Sequence, residues 1–307
     1  MSGRLAGRVA IVTGGGKGLG RTFALDLAAA GAHVVVNNRD RTKDAAGRGP
    51  AEVVVEEIRA TGGTAVAENS DVTDPGAARS MLDTALNAYG RVDFLVTSAA
   101  VSAPAMFHKS TPEQFDAVIA TNLGGTAHIA ALCSKHMREA GFGRIVFVSS
   151  TAGLHGEPTA SAYTASKGAL IALGRAIAVE GERRNVLTNI VLPYATTQMT
   201  ETGMPSEHHD AFPPDVVAPV VTALVDPEST LNGQVLVAAG GGLRVASTVE
   251  WGTVALPGTS ITPGELTDLI AHSRQARPRE FREAQAAFED FAASLPHHQM
   301  PVAPRVG

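Results

Sequence analysis

Apolar residues fall along this chain in short runs rich in β-branched side chains, separated by longer amphipathic stretches. The runs occupy residues 8–13, 32–37, 64–67, 92–97, 144–149, 186–192 and 234–238, and read as strands. The stretches between them, 21–30, 53–60, 75–89, 113–140 and 162–182, read as helices. Strand then helix, repeated along the chain, predicts a parallel, doubly wound α/β sheet with right-handed crossovers. No repeat, heptad or long low-complexity block interrupts it. Past residue 242 the pattern fades. Residues 263–273 and 279–294 are expected to be helical, the second with Phe281, Phe288 and Phe291 on one apolar face. The chain therefore divides into a main domain, 1–242, and a C-terminal helical extension, 243–307. The extension could pack on its own domain, reach a partner subunit or lid a cleft. The tail from Pro296 is expected to be loose.

The first strand runs into Thr13-Gly14-Gly15-Gly16-Lys17-Gly18-Leu19-Gly20, directly before a helix, with Gly31 placed to end that helix. Glycines let the backbone turn tightly and approach a pyrophosphate, which then meets the outward N–H groups of the helix N-terminus. A Gly-rich turn between strand and helix is far more telling than the glycines alone. This is a Rossmann-type unit.

A second constellation runs from Ser149 to Lys167. Tyr163 and Lys167 stand four apart, one helical turn from each other on a single face. Free tyrosine and lysine titrate near ~10 and ~10.4, so neither is a base at neutral pH alone. A fixed ammonium beside the phenol favours the phenolate, and the pair becomes a general acid–base. Ser150, at the preceding strand end, can hold a substrate oxygen. An ordinary surface pair is the bland alternative; the Gly-rich turn weighs against it.

Composition narrows the setting. The chain has 307 residues, 44% of them hydrophobic, and a net charge of −5, with a pI near 6.1. No basic stripe suggests a nucleic-acid partner. Cys133, the single cysteine, excludes an intrachain disulfide, fits a reducing compartment and is expected to pack in a helix core. No apolar run reaches the ~18–20 residues of a membrane span. The N-terminus lacks a signal-peptide core, and the end, Pro304 to Gly307, is no peroxisomal address. A cytoplasmic protein is expected. The pairs His208-His209 and His297-His298 lack the spacing of a zinc helix, so no metal is expected.

Together, residues Thr13 to Gly20, Asp71-Val72, Asn122, Ser150, Tyr163 and Lys167, in this order and spacing, resemble the short-chain dehydrogenase/reductase family over about residues 7–242. The resemblance implies an NAD(P)-dependent oxidoreductase interconverting a secondary alcohol and a ketone. It also implies a catalytic tetrad of Asn122, Ser150, Tyr163 and Lys167. Tyr163 would exchange the proton, and Lys167 would lower its pKa and touch the nicotinamide ribose. Ser150 would steady the substrate oxygen, and Asn122 would hold a water linking Lys167 to solvent. The cofactor-binding set would be Thr13, Gly14, Lys17, Gly18, Leu19, Gly20, Asn38, Arg39, Asp71, Val72, Ser98, Ala99, Pro193 and Thr196, with Tyr163 and Lys167. Thr197 is an alternative to Thr196.

The segments around Val34 to Asn38, Ala51 to Ile58, Gln198 to Pro205 and Pro213 to Pro219 are similar to one branch of the family. That branch is the 3-hydroxyacyl-CoA dehydrogenase unit of type 2 multifunctional β-oxidation enzymes. A 3-hydroxyacyl-CoA is then one candidate substrate, and a hydroxysteroid or other bulky alcohol another. Two departures from the family's pattern are Thr97-Ser98-Ala99-Ala100, where Asn-Asn-Ala-Gly is usual, and Pro193-Tyr194, where Pro-Gly is usual. They leave room for a different class of protein, one that binds the cofactor with little turnover.

Cofactor choice turns on the end of the second strand. An acidic residue there would bind the ribose 2′-hydroxyl and repel a 2′-phosphate. Here the position is Asn38, followed by Arg39, with Lys17 in the Gly-rich turn. Two cations favour NADP over NAD, unless Asp40 swings in to serve NAD. Ala169, Ala172, Gly174, Ala176 and Ala178 permit close helix–helix approach, and the family resemblance implies a homodimer or homotetramer built on that helix.

Overall fold

The computed structural model describes residues 3–39, 42–198, 211–257 and 260–295. Asp40, Met199, Thr200, Met204, Pro205 and both histidine pairs lie outside the described residues. The chain forms two compact units, Met1–Ala246 and Ser247–Gly307.

In the first unit the strands are β1 (Val9–Thr13), β2 (His33–Asn37), β3 (Thr64–Glu68), β4 (Phe94–Thr97), β5 (Gly143–Val148), β6 (Val186–Pro193), β7 (Val235–Ala239) and β8 (Gly242–Val245). They form one sheet in the order β3-β2-β1-β4-β5-β6-β7-β8. The first seven run parallel, and β8 is antiparallel to β7. The helices are α1 (Gly18–Ala29), α2 (Pro50–Ala60), α3 (Ala77–Tyr89), α4 (Pro112–Ile119), α5 (Thr126–Ala140), α6 (Ala152–His155), α7 (Ser161–Gly181) and α8 (Ala218–Val225).

The β-branched runs form central strands because both sheet faces are covered, and the strand pleat feeds two cores. Val12, Val34, Val36 and Val146 join Phe23, Leu27, Ile58 and Val221 of α1, α2 and α8 on one face. Their sequence neighbours Ile11, Val35, Ile145 and Phe147 join Met81, Ile129 and Leu170 of α3, α5 and α7 on the other. The strand order reverses between β1 and β4, and the crevice beyond the strand C-termini at that point is where this architecture places ligands.

Several features of the first unit differ from the sequence reading. The stretch expected as one helix over 113–140 is α4 and α5 joined by a π-turn, Ala120–Gly125, which carries Asn122. By length and composition Pro112–Ala140 could cross a membrane. It packs instead as a core element, with Ile129, Ala130, Cys133 and Met137 buried. Strand β8 was not expected. Gly240 and Gly241, at φ of 46° and 79°, make a two-residue hairpin that no residue with a Cβ adopts readily. The boundary at 242/243 falls inside β8, and the first unit runs on to Ala246. Helix α8, also unexpected, packs against α1 and β5.

The second unit contains α9 (Pro263–Ser273) and α10 (Ala284–Ser294). Thr262 and Glu265 form a capping box at the start of α9, with Pro263 in its first turn. The helix expected from 279 begins only at Ala284, because Arg279 exchanges backbone hydrogen bonds with Glu250 in a β-bridge.

Candidate active site

The Gly-rich turn is held from two sides. Thr13 Oγ1 accepts hydrogen bonds from the amides of Ser98 (3.2 Å) and Ala99 (3.3 Å), tying β1 to the loop after β4. Gly15 N donates to Asn37 O at 2.8 Å, tying the turn to β2. Gly14 has φ of 66°, and a Cβ there would lie 2.8 Å from Ala99 N; one at Gly20 would lie 2.2 Å from Gly14 O. The glycines thus bring three loops together at the N-terminus of α1. Gly14, Lys17, Gly18 and Leu19 open into a cleft of about 1130 Å³. The cradle fits a dinucleotide pyrophosphate: the first-turn N–H groups of α1 have no acceptor within the helix, and the glycines let the turn pack closely enough to present them at the cleft.

Along the cleft, the end of β2 contributes Asn37, Asn38 and Arg39. Behind them lies the buried carboxylate of Glu68. It accepts from Asn37 Nδ2 (2.6 Å), from Ser80 Oγ (3.0 Å) and from the amide and hydroxyl of Ser70. Arg39 Nη1 pairs with Asp71 Oδ2 at 2.8 Å, while Asp71 Oδ1 accepts from Thr73 N (3.0 Å) and Thr73 Oγ1 (2.8 Å). Partial burial works against the Asp71 charge, but the bonds from Arg39 and Thr73 prevail and hold the carboxyl below its usual value.

The opposite end holds the Ser150, Tyr163 and Lys167 side chains. Helix α7 carries Tyr163 and Lys167 on one face, with Lys167 Nζ 5.5 Å from the centre of the Tyr163 ring. Lys167 is buried, and Nζ donates to Val148 O at 2.8 Å. Ser149 Oγ fixes the same turn by donating to Lys167 O at 2.7 Å. Burial lowers the Lys167 pKa to about 8. Burial also raises that of Tyr163, and the hydrogen bond with Ser150 opposes the rise. In this arrangement desolvation sets the net direction, and the Tyr163 phenol is held above its ordinary value. Asn122, fully buried, accepts from Val101 N (2.8 Å) and donates to Val101 O and Ser166 Oγ, both at 3.0 Å.

A Gly-rich cradle and a Ser–Tyr–Lys group on one cleft direct attention to dinucleotide-dependent oxidoreductases. Residues 8–210 match the family described as short chain dehydrogenase. The chain belongs to the short chain dehydrogenase family. A short-chain type dehydrogenase/reductase of Mycobacterium tuberculosis is 40% identical over 236 residues, covering 76% of this chain and 82% of that protein. The peroxisomal multifunctional enzyme type 2 of Drosophila melanogaster is 39% identical over 240 residues, or 78% of this chain and 40% of that protein. This chain therefore matches less than half the length of that relative. A crystal structure of a short chain dehydrogenase from Mycobacterium avium has a TM-score of 0.79 and 37% identity, over 90% of this chain and 98% of the other.

In this short chain dehydrogenase the expected site residues divide into two layers. Gly14, Lys17, Gly18, Leu19, Asn38, Arg39, Val72, Ser98, Ala99, Ser150, Tyr163, Lys167 and Pro193 border the cleft. Thr13, Gly20, Asp71 and Asn122 stand behind it and hold the first group in place. Thr196 does not border the cleft, whereas Thr197 does; the Thr196 amide donates to Phe212 O at 2.8 Å. The sequence reading missed the loops carrying Ser102, Pro104, Glu157 and Thr159. The two loops meet where Ala105 N donates to Thr159 O at 2.7 Å. Thr159 has φ of 63°, a strained value for a β-branched residue. The turn pair Gly156 and Pro158 was the available signal for its loop.

Proposed function

We propose that this protein is an NAD(P)-dependent oxidoreductase that interconverts a secondary alcohol and a ketone, with a 3-hydroxyacyl-CoA as the leading substrate class and NADP(H) as the favoured cofactor. The observation that carries this is that Ser150, Tyr163 and the buried Lys167 border the same cleft that begins at the Gly-rich cradle.

The bound cofactor would supply or accept the hydride. The protein's own groups manage the proton. With a ketone in the cleft, the neutral Tyr163 phenol donates its proton to the carbonyl oxygen, while Ser150 Oγ hydrogen-bonds that oxygen. The Lys167 ammonium stabilises the phenolate that remains. In the alcohol-oxidising direction the phenolate takes the hydroxyl proton. With its pKa near 8, Lys167 holds its charge at pH 7 yet exchanges protons readily.

The 3-hydroxyacyl-CoA reading rests on likeness to the multifunctional enzyme. One observation favours a bulky uncharged alcohol such as a hydroxysteroid. Pro104, Pro158 and Tyr194 border the cleft, and Glu157, the one carboxylate among the described residues bordering it, would repel an anionic CoA. The cofactor reading rests on Lys17, Asn38 and Arg39. A charge-assisted bond from Arg39 to a 2′-phosphate is worth ~1.5–3 kcal/mol, about ten- to a hundred-fold in affinity. The exposed small residues of α7 support a homodimer or homotetramer. The cytoplasmic reading rests on Cys133, the sole cysteine, which excludes an intrachain disulfide and fits a reducing compartment.

The test is kcat/KM for hydroxyacyl-CoA thioesters and hydroxysteroids, each with NAD and NADP. Turnover of the thioesters, with NADP ahead, is expected, and Asn38→Asp with Arg39→Leu should reverse the cofactor order. Turnover of steroids alone would establish the second substrate reading. Cofactor binding without turnover of any alcohol would leave a binding protein. Equal or better efficiency with NAD in the wild type would sink the NADP preference.

A further inference from the structure

The Arg39–Asp71 pair links the loops after β2 and β3 at the end of the cleft where the adenosine ribose belongs. Its two members are not equivalent. Asp71 is the anchored one: its side chain is 26% exposed, and Oδ1 is fixed by two bonds from Thr73. Arg39 is long and 50% exposed, and it reaches Asp71 through Nη1. The guanidinium is therefore set by the carboxylate, not the reverse.

We propose that Asp71 is a specificity-determining residue that restrains the preference for a 2′-phosphorylated cofactor, by holding Arg39 and by placing a second negative charge beside the phosphate's partner. The inference rests on the cofactor reading above. A guanidinium has five N–H donors, so Arg39 can face a phosphate while keeping Asp71. The phosphate then sits close to the Asp71 carboxylate. Two like charges ~6 Å apart, at an effective dielectric constant between ~20 and ~80, oppose binding by about three- to a hundred-fold. A cofactor with a plain 2′-hydroxyl feels almost none of this. Asp71 thereby leaves the enzyme able to use both cofactors instead of committing it to one.

The test is equilibrium binding of NADPH and NADH to the full chain without substrate, followed by fluorescence titration. Wild type, Asp71→Asn, Arg39→Leu and the double variant are compared, with thermal melts to check folding. Asp71→Ser serves as a second charge-removing variant if Asp71→Asn does not fold. Expected is a shift of the NADPH-to-NADH affinity ratio towards NADPH by about ten-fold in Asp71→Asn, and a smaller shift when Arg39 is also replaced, where only the repulsion from Asp71 is relieved. Using the ratio cancels any general loss of adenosine contacts. An unchanged ratio in Asp71→Asn, or a shift of the same size with Arg39 replaced, overturns the proposal. The cofactor reading fails separately, if Arg39→Leu alone leaves the wild-type ratio unchanged.

Discussion

The Asn122 side chain donates to Ser166 Oγ at 3.0 Å, and that hydroxyl donates in turn to the carbonyl of Tyr163 at 2.7 Å. The π-turn is thereby tied to the helix that carries Tyr163 and Lys167. Asn122 spends both amide protons on protein acceptors, Val101 O and Ser166 Oγ. Its Oδ1 in turn accepts from Val101 N, so the side chain acts as a brace. Ser166→Ala would leave one buried N–H without its acceptor, at a cost of ~1–3 kcal/mol. We expect a lower urea midpoint and a several-fold drop in kcat with KM little changed. Wild-type stability together with wild-type kcat would remove the brace.

Tyr163→Phe deletes the proton donor while keeping the ring that fills its site. The expected outcome is intact folding and cofactor affinity, with turnover lower by orders of magnitude. Steady-state kinetics beside a cofactor titration measures both; near wild-type turnover would refute the assignment of Tyr163.

Lys167→Met tests the buried ammonium. The folded pKa, about 8, lies below the ordinary 10.5, so burial penalises the charged form by about 3 kcal/mol. The penalty is complete below pH 8, where folded and unfolded chains are both protonated. Between 8 and 10.5 the unfolded chain binds more protons, so wild-type stability rises with pH across that window. Methionine removes the charge and keeps the bulk. The variant should be inactive yet melt higher than wild type at pH 7, with the advantage shrinking towards pH 10. A melting temperature that falls at pH 7 would show the bond to Val148 O outweighing desolvation.

The small residues of α7 separate by exposure. Gly174 and Ala178 are buried; a Cβ at Gly174 would meet Ile190 Cδ1 at 2.8 Å. Ala165, Ala172 and Ala176 are exposed and lie on one face, at helical spacings of seven and four. If this face pairs two subunits, Ala172→Arg is expected to yield a monomer at micromolar concentration with the fold intact. Light scattering decides it: a wild-type monomer, or an Ala172→Arg variant that still associates, would exclude this face.

Much of the molecule could be read from the chain because the signals are local. The β1–turn–α1 unit follows from β-branched residues running into glycines, and Tyr163 and Lys167 share a face because a helix repeats every 3.6 residues. Those are properties of neighbours in sequence. What could not be read depends on partners far along the chain. The π-turn at Asn122 answers to Val101, 21 residues away, and Ser166, 44 away. It is also packed closely enough that a Cβ at Gly125 would meet Val72 at 2.7 Å. Arg39 meets Asp71 across 32 residues, so a cation that reads as a ready phosphate ligand proves already engaged. The sign of the Tyr163 shift is of the same kind. Spacing puts an ammonium nearby and suggests a lowered pKa, but burial by the surrounding loops decides the balance. Desolvation is a property of the packed molecule, and no spacing of residues along a chain encodes it.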